Sequence, residues 1–251
     1  MMNLKEFFTK HPKVAVAFSG GVDSAYLLYA AGQFAENARA YYAKSAFQPQ
    51  FELDDAKRLA EQLSMPLEVI DIDVLADSDV VDNPPNRCYF CKRRIFSAIQ
   101  KAARNDGFSV ILDGTNASDD VSDRPGMAAL KELSVLSPLR MCGLAKAEIR
   151  RLSKEAGLFT WDKPAYACLA TRIPTGVRIE KRLLEMTENA ENFLMLLGFK
   201  DLRVRTFNGC ARIQIPAMQF EHLLECRERI LKRLGQDYDG VLLDLEARDG
   251  Q

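Results

Sequence analysis

The chain has 251 residues, of which 47% are hydrophobic and 27% are charged, a composition typical of a protein with one large domain or two unequal ones. Its formal net charge of −1 provides no overall basic surface for gripping tRNA or DNA, which favours a small-molecule substrate. No apolar stretch approaches the roughly 20 residues of a membrane span, and the N-terminus lacks a signal-peptide core, so we expect a cytoplasmic protein without a membrane partner.

The first predicted strand leads through a glycine turn into a helix. The run at 14–18 is short and continuously apolar, as in a strand buried on both faces of a parallel sheet, and the helix follows Ser24. The turn between them reads Ser-Gly-Gly-Val-Asp-Ser. Glycines let backbone amides approach an anion, and the helix points its positive end the same way. The residues predicted to bind a ligand here are Ser19, Gly20, Gly21, Asp23 and Ser24.

This Ser19–Ser24 loop differs from the common phosphate-binding loop because it lacks G-x-x-x-x-G-K-[ST] and its lysine. Its six residues resemble the pyrophosphate (PP) loop of ATP pyrophosphatases, which include GMP synthetase, NAD synthetase and tRNA thiolases. The resemblance implies a bound ATP that is split into AMP and pyrophosphate. A glycine-rich turn without a ligand is the alternative.

Alternating strands and helices follow the loop. Apolar patterns predict strands at 38–44, 67–72 and 109–112, with helices at 54–63 and 88–105 and a proline-bearing loop at 73–86. This order predicts an α/β domain with a parallel sheet, whose ligands bind outside the carboxyl ends of the strands. A second nucleotide-binding loop is predicted at such an end, although an ordinary turn has the same composition. Its residues are Asp113, Gly114, Thr115 and Asn116.

The second half of the chain changes character. A helix at 146–152 begins with Lys146, which is either a phosphate ligand or a surface lysine, and a long connection spans 157–179. Helix, strand, strand, helix and strand then predict a small α+β unit, with helices at 180–197 and 217–234 and strands at 202–205, 211–215 and 240–245. We therefore predict two domains, at 1–175 and 176–251.

Six cysteines are present, and a reducing compartment favours thiols or metal ligands over disulfides. Cys88 and Cys91 form a C-x-x-C pair, which fits a redox pair, part of a zinc site, part of an iron–sulfur site or a chance spacing. Cys168 lies in a loop rich in polar and constrained residues. Three converging thiolates are the number used by iron–sulfur clusters that leave one iron open, but spacing alone leaves these alternatives unresolved.

Seven motifs across nearly the whole chain together resemble the LarE family. They begin at Ser19 (SGGVDS), Asn86 (NRCYFCK), Asp113 (DGTN), Arg124 (RPG), Ser137 (SPL), Gly143 (GLxKxEIR) and Lys163 (KPxxxCLAxRxPxG). The resemblance implies adenylylation of a carboxylate of pyridinium-3,5-biscarboxylic acid mononucleotide and its conversion to a thiocarboxylate, in biosynthesis of the nickel-pincer cofactor of lactate racemase. It also implies a homo-oligomer.

The resemblance supplies roles for particular residues. One branch of the family uses the sulfur of a single cysteine, which Cys168 matches; the other binds a [4Fe-4S] cluster through three cysteines, which Cys88, Cys91 and Cys168 match. We favour the cluster because both members of the C-x-x-C pair are present. Asp23 and Cys168 are the predicted catalytic residues, Glu191 is a predicted Mg²⁺ ligand, and the predicted substrate-binding residues are Arg172, Arg203 and Arg205.

Three other functions remain open from the sequence. A tRNA thiolase shares the PP loop and can use C-x-x-C clusters, but the net charge of −1 provides no overall basic surface for binding tRNA. An amide-forming ligase of the NAD or GMP synthetase type has no use for paired cysteines. A nucleotide-binding scaffold with a zinc site would release no AMP.

Overall fold

The computed structural model describes residues 2–120 and 125–248, which form eleven α-helices and seven strands. The helices are α1 (Leu4–Lys10), α2 (Val22–Phe34), α3 (Gln50–Gln62), α4 (Ser78–Val81), α5 (Arg87–Asn105), α6 (Pro125–Glu132), α7 (Pro138–Met141), α8 (Lys146–Glu155), α9 (Lys181–Leu196), α10 (Phe220–Glu225) and α11 (Arg227–Leu234). The strands are β1 (Lys13–Ala17), β2 (Asn37–Lys44), β3 (Leu67–Asp71), β4 (Val110–Leu112), β5 (Arg203–Phe207), β6 (Cys210–Gln214) and β7 (Val241–Leu243).

The first of two compact units contains the described residues up to Val74 and those of Asn86–Lys163. Its sheet is entirely parallel, as the sequence predicts, and the strands lie in the order β3-β2-β1-β4. Alternate residues of β1 enter different cores: Val14 and Val16 pack with α2, while Ala15 packs with Phe96 of α5. All three β1 residues are fully buried, because helices cover both faces of the sheet.

The topology brings the two predicted ligand loops to one edge of this sheet. β1 and β4 are neighbouring parallel strands, with Val16 paired to Leu112. The Ser19–Ser24 loop follows β1 and Asp113 follows β4, so both loops leave the carboxyl ends of adjacent strands. Ligands bind at this edge in open α/β sheets.

The second unit consists of Leu75–Pro85 and the described residues from Pro164 onward. Its sheet has the order β5-β6-β7, antiparallel between β5 and β6 and parallel between β6 and β7. Apolar residues of α9 and α11 pack on it, including fully buried Leu194, Val204 and Leu234.

The units divide the chain differently from the predicted domains. The boundary falls after Lys163 rather than at residue 175, and Leu75–Pro85 belongs with the C-terminal segment. The hydrogen bonds of Asn83 explain why Leu75–Pro85 belongs to the second unit. Its side-chain amide donates to the carbonyls of Pro174 (2.8 Å) and Val177 (3.1 Å), and its own carbonyl accepts from Gly176 N.

Several element boundaries also differ from the expected ones. α3 begins at Gln50 rather than 54, α4 lies within the predicted loop at 73–86, and the helix predicted at 217–234 is divided into a 3-10 turn, α10 and α11. Arg124 of the RPG motif lies outside the described residues.

Candidate active site

The Ser19–Ser24 loop adopts a backbone that only glycine accommodates easily. Gly20 has φ +74°, in the left-handed region, and a Cβ there would lie 3.2 Å from the carbonyl oxygen of Glu52 on α3. The sharp turn and the close approach of α3 both therefore require the missing side chain. This explains one of the two glycines that the sequence singled out.

The two serines of the Ser19–Ser24 loop form hydrogen bonds within the loop. The hydroxyl of Ser24 donates to Gly21 O (3.1 Å), accepts from Ser19 N (3.2 Å) and lies 3.0 Å from the Ser19 hydroxyl. Gly21 is the N-cap of α2 and has no side chain with which to cap the helix. The first amides of α2 have no intrahelical partner, and such amides form an anion-binding site.

Asp23 lies in the first turn of α2 and pairs through Oδ2 with the ammonium group of Lys146. Its other oxygen, Oδ1, is buried and has no hydrogen-bond partner among the described atoms. Burial raises the pKa of Asp23 above its ordinary value, against the opposing effect of Lys146. A buried carboxylate oxygen without a partner fits a bound cation, and Mg²⁺ is commonly held by one or two carboxylates together with phosphate oxygens.

The loop after β4 packs directly on the start of α2. A Cβ on Gly114 would lie 2.9 Å from the backbone nitrogen of Ser24, so only glycine permits this contact. Asp113 accepts hydrogen bonds from the hydroxyls of Thr115 (2.5 Å) and Ser137 (2.6 Å), which fix its carboxylate. Asn116 is fully buried, and its backbone amide donates to Asp119.

Both loops open into a cavity of about 520 Å³ within the first unit. Its lining combines loop residues with residues of α5 and α6, and Asn116 and Gly20 are not among them. The lining residues are Ala17, Ser19, Gly21, Asp23, Ser24, Cys88, Lys92, Phe96, Asp113, Gly114, Thr115, Asp119, Pro125, Gly126 and Met127. The structure thus places one thiol of the C-x-x-C pair in the same cavity as the nucleotide-type loops.

One face of α5 forms a wall of this cavity. Cys88, Lys92 and Phe96 recur at intervals of four residues, which places them on the same side of the helix. Lys92 is not among the ligand-binding residues that the sequence predicts. Lys92 lies four residues after Cys88, so the sequence places both on one face of a helix. Only the position of α5 in the structure shows that this face lines the cavity.

The three predicted cluster ligands are divided between the units. Cys88 is exposed and Cys91 half-buried on the first turns of α5, where a spacing of three places them on one face. Cys168 is half-buried and precedes a 3-10 turn at 169–172 in the second unit. Within the ranges 2–120 and 125–248, no group of three or more His, Cys, Asp or Glu side chains is arranged to hold a metal ion.

Arg172 and Glu191 form a buried ion pair in the second unit. Arg172 Nε lies 2.7 Å from Glu191 Oε1, and the exposed fractions of the two side chains are 0% and 1%. Glu191 also accepts from Val204 N (2.8 Å) and from the Tyr166 hydroxyl. Burial lowers the pKa of Arg172, but the hydrogen bond and charge of Glu191 outweigh it and leave the pKa raised. These contacts account for both residues without a substrate or a metal.

Arg203 and Arg205 lie on one face of β5, as strand alternation predicts. Burial, followed by repulsion from Arg248, Arg172 and Arg205, lowers the pKa of Arg203 to about 10. Arg205 donates to Gln214 (2.7 Å) and to the carbonyl of Thr171, whereas no acceptor contacts the Arg203 guanidinium among the described residues. Clustered, partly desolvated guanidinium groups are suited to binding an anion.

None of the helices in the described part of the chain is long and apolar enough to cross a membrane.

No protein-family model matches the chain. An uncharacterized protein of Synechocystis is 36% identical over 98% of this chain and 93% of its own length. Pyridinium-3,5-bisthiocarboxylic acid mononucleotide synthase of Lactiplantibacillus plantarum is 34% identical over 93% of this chain and 86% of its own length. The tRNA-specific 2-thiouridylase MnmA of Thermotoga petrophila is 26% identical over 60% of this chain and 54% of its own length.

The similarity to a named synthase covers 93% of this chain and matches the family that the sequence motifs indicate. The thiouridylase similarity covers a smaller part of the chain and agrees with the parallel sheet and PP loop of the first unit. The chain therefore belongs to the LarE family of PP-loop sulfurtransferases.

Proposed function

We propose that the protein adenylylates a carboxylate of pyridinium-3,5-biscarboxylic acid mononucleotide with ATP, releases pyrophosphate and converts the carboxylate to a thiocarboxylate. The pathway is biosynthesis of the nickel-pincer cofactor. The observation that carries the proposal is the shared cavity: the Ser19–Ser24 loop, the loop after β4 and Cys88 line one space of about 520 Å³. Nucleotide activation and thiol chemistry are thereby adjacent within one unit.

Activation makes the carboxylate reactive. An oxygen of the acceptor carboxylate bonds to the α-phosphorus of ATP, and the bond from that phosphorus to the bridging oxygen breaks, so that pyrophosphate leaves with the electron pair. The first amides of α2 and the Ser19–Ser24 loop bind the departing anion. Asp23 would hold Mg²⁺ through its partnerless oxygen, and the metal would supply charge neutralisation.

Sulfur then replaces AMP at the activated carbonyl. A sulfur nucleophile bonds to the carbonyl carbon of the acyl-adenylate, and AMP departs with the electrons of the broken carbon–oxygen bond. Two sources are proposed, in order of preference. The first is sulfide on a [4Fe-4S] cluster held by Cys88, Cys91 and Cys168. The second is the sulfur of Cys168 itself: after Sγ has bonded to the carbonyl carbon, loss of the Cα proton to a base would break the Cβ–Sγ bond, release the thiocarboxylate with the electron pair and leave dehydroalanine. The cluster, when bound, supplies a sulfide that is nucleophilic near neutral pH.

The second unit is proposed to bind the substrate. Arg203 and Arg205 are suited to its phosphate or carboxylates because their guanidinium groups are half-buried and repel one another. Arg172 and Glu191, proposed from the resemblance as substrate and Mg²⁺ ligands, are bound to each other, which makes them the weaker candidates. A homo-oligomer remains part of the proposal.

The test is anaerobic incubation of the purified protein with ATP, Mg²⁺ and pyridinium-3,5-biscarboxylic acid mononucleotide. We expect AMP and pyrophosphate only when the acceptor is present, and a product in which sulfur replaces one oxygen by mass spectrometry. Cys88→Ser, Cys91→Ser and Cys168→Ser should abolish sulfur insertion, whereas Cys142→Ser should not. Formation of AMP with tRNA alone would favour a thiolase, and amide formation with ammonia would favour a ligase.

Iron and peptide analysis distinguish the two sulfur sources. The cluster predicts iron and sulfide in the protein and an unchanged Cys168 after turnover. The sacrificial route predicts an iron-free protein that converts Cys168 to dehydroalanine once per chain. Bound zinc without AMP release would contradict both routes.

A further inference from the structure

Apart from the Mg²⁺ proposed at Asp23, the Ser19–Ser24 loop contributes no cation that could neutralise the phosphates of ATP in this cavity. ATP and pyrophosphate are strongly anionic, and the cavity adds the carboxylates of Asp23, Asp113 and Asp119. Like charges at short distance repel strongly in a partly desolvated site. The amides of α2 offset only part of this charge, since a helix terminus is equivalent to roughly half an elementary charge.

Lys92 of α5 is the cationic side chain that lines this cavity within the described residues. Its aliphatic stem lies directly over Gly126 of α6: a Cβ on that glycine would be 2.7 Å from Lys92 Cδ and 3.1 Å from Cε. The absence of a side chain at Gly126 therefore creates the space that the stem occupies. The contact between α5 and α6 positions the lysine at the cavity wall.

The carboxylates of the cavity already have other partners. Asp113 accepts from Thr115 and Ser137, Asp23 pairs with Lys146, and Asp119 accepts from Asn116 N (2.9 Å). None of the ion pairs or hydrogen bonds of the described residues involves the Lys92 ammonium group, so it is available to a ligand. An ammonium group with three donors on a flexible stem is a common phosphate ligand.

We propose that Lys92 binds the pyrophosphate portion of ATP and neutralises the charge that develops on it as it leaves. This inference rests on the proposed function and adds a residue to the same site. As the bond from the α-phosphorus to the bridging oxygen breaks, the electron pair moves onto pyrophosphate, and Lys92 stabilises that product. The cation that the loop lacks is thus supplied by Lys92, which follows Ser24 by 68 residues and lies on the same helix as the C-x-x-C pair.

The test compares Lys92→Met with a matched control, Lys101→Met, which removes an exposed lysine from the same helix. Exchange of labelled pyrophosphate into ATP, measured anaerobically with the acceptor present, reports adenylylation without sulfur transfer. Lys92→Met should lower the exchange rate about 100-fold, as expected for loss of one positioned charge-stabilising group. It should raise the inhibition constant of pyrophosphate about 10-fold while leaving that of AMP and the iron content unchanged.

Gly126→Ala provides a second variant that keeps the charge. The new methyl group would displace the Lys92 stem, so pyrophosphate inhibition should weaken by an intermediate factor. Equal exchange rates in Lys92→Met and Lys101→Met would overturn the role of Lys92, and so would a loss of iron or AMP binding in Lys92→Met. If the unmodified protein shows no acceptor-dependent exchange, the proposed function fails, and calorimetric titration with pyrophosphate still decides whether Lys92 binds it.

Discussion

At the scale of single residues, the buried carboxylate of Asp23 destabilises the fold, and the same carboxylate is the proposed Mg²⁺ ligand. Burial raises the pKa of its carboxyl group, so the folded state holds a proton more tightly than the unfolded chain does. For such a group, stability decreases as the pH rises from the unfolded pKa through the folded pKa. The ionised carboxylate therefore destabilises the fold at neutral pH.

Asp23→Asn should accordingly stabilise the protein and inactivate it. At pH 7 the melting temperature should rise by about 2–4 °C for each kcal/mol of removed charge penalty, and this gain should vanish below the unfolded pKa. Formation of AMP should fall about 100-fold because the proposed Mg²⁺ ligand is lost. Calorimetry from pH 3 to 8 checks the first effect, with the exposed Asp162→Asn as control. A pH-independent difference in melting temperature would contradict it.

The Arg172–Glu191 pair gives the second prediction at this scale. Removing one member leaves a fully buried charge unpaired, so Arg172→Met should lower the free energy of unfolding by about 3–5 kcal/mol. Arg178→Met, which breaks an exposed pair with Asp82, should change it by less than about 1 kcal/mol. Denaturant unfolding measures both. Lost activity with unchanged unfolding in Arg172→Met would instead support the predicted role in substrate binding.

At the scale of elements, the contact of Gly114 with the start of α2 joins the two ligand loops. Gly114→Ala would place its methyl group against backbone atoms, which cannot rotate away. The loop after β4 should separate from α2, and kcat/KM for ATP should fall about 100-fold, the effect of a displacement near 1 Å. Steady-state AMP formation measures this loss.

Gly157→Ala is the matched control for that variant. Gly157 also has a left-handed backbone (φ +69°), but a Cβ there meets nothing within 4 Å. It should therefore lower stability by about 1–2 kcal/mol and leave the ATP kinetics unchanged. Similar kinetic losses in both variants would show that general destabilisation, rather than the loop contact, is responsible.

Local patterns predicted the elements well because each is encoded in a short stretch. The apolar run at β1 and the glycine turn after it needed no distant information, and the alternation of strands and helices predicted a parallel sheet without fixing its strand order. The Arg172–Glu191 pair was not predictable in this way, since 19 residues separate two charges that also suit a substrate or a metal. Lys92 was missed because its contact, Gly126, lies on another helix.

At the scale of the whole molecule, Asn83 connects two distant segments of the second unit. Asn83→Ala would leave the carbonyls of Pro174 and Val177 without their buried donor, at a cost of about 3 kcal/mol in free energy of unfolding. Asn208→Ala is the control, because both asparagines have a left-handed backbone (φ +54° at Asn83 and +47° at Asn208) but Asn208 is exposed. Equal destabilisation of the two variants, measured by denaturant unfolding, would assign the effect to backbone strain alone.

The discontinuity of the second unit also has a consequence for synthesis on the ribosome. Asn83 leaves the ribosome well before Pro174, its partner 91 residues later, and all of Asn86–Lys163 is made in between. At translation rates of about 5–20 residues per second, this interval lasts roughly 5–18 s. The first unit can complete its chain during that time, while Val80 and Val81, buried in the finished protein, await the segment that begins at Pro164. The nascent chain therefore passes through a period in which the side chains of Val80 and Val81 are available to a chaperone.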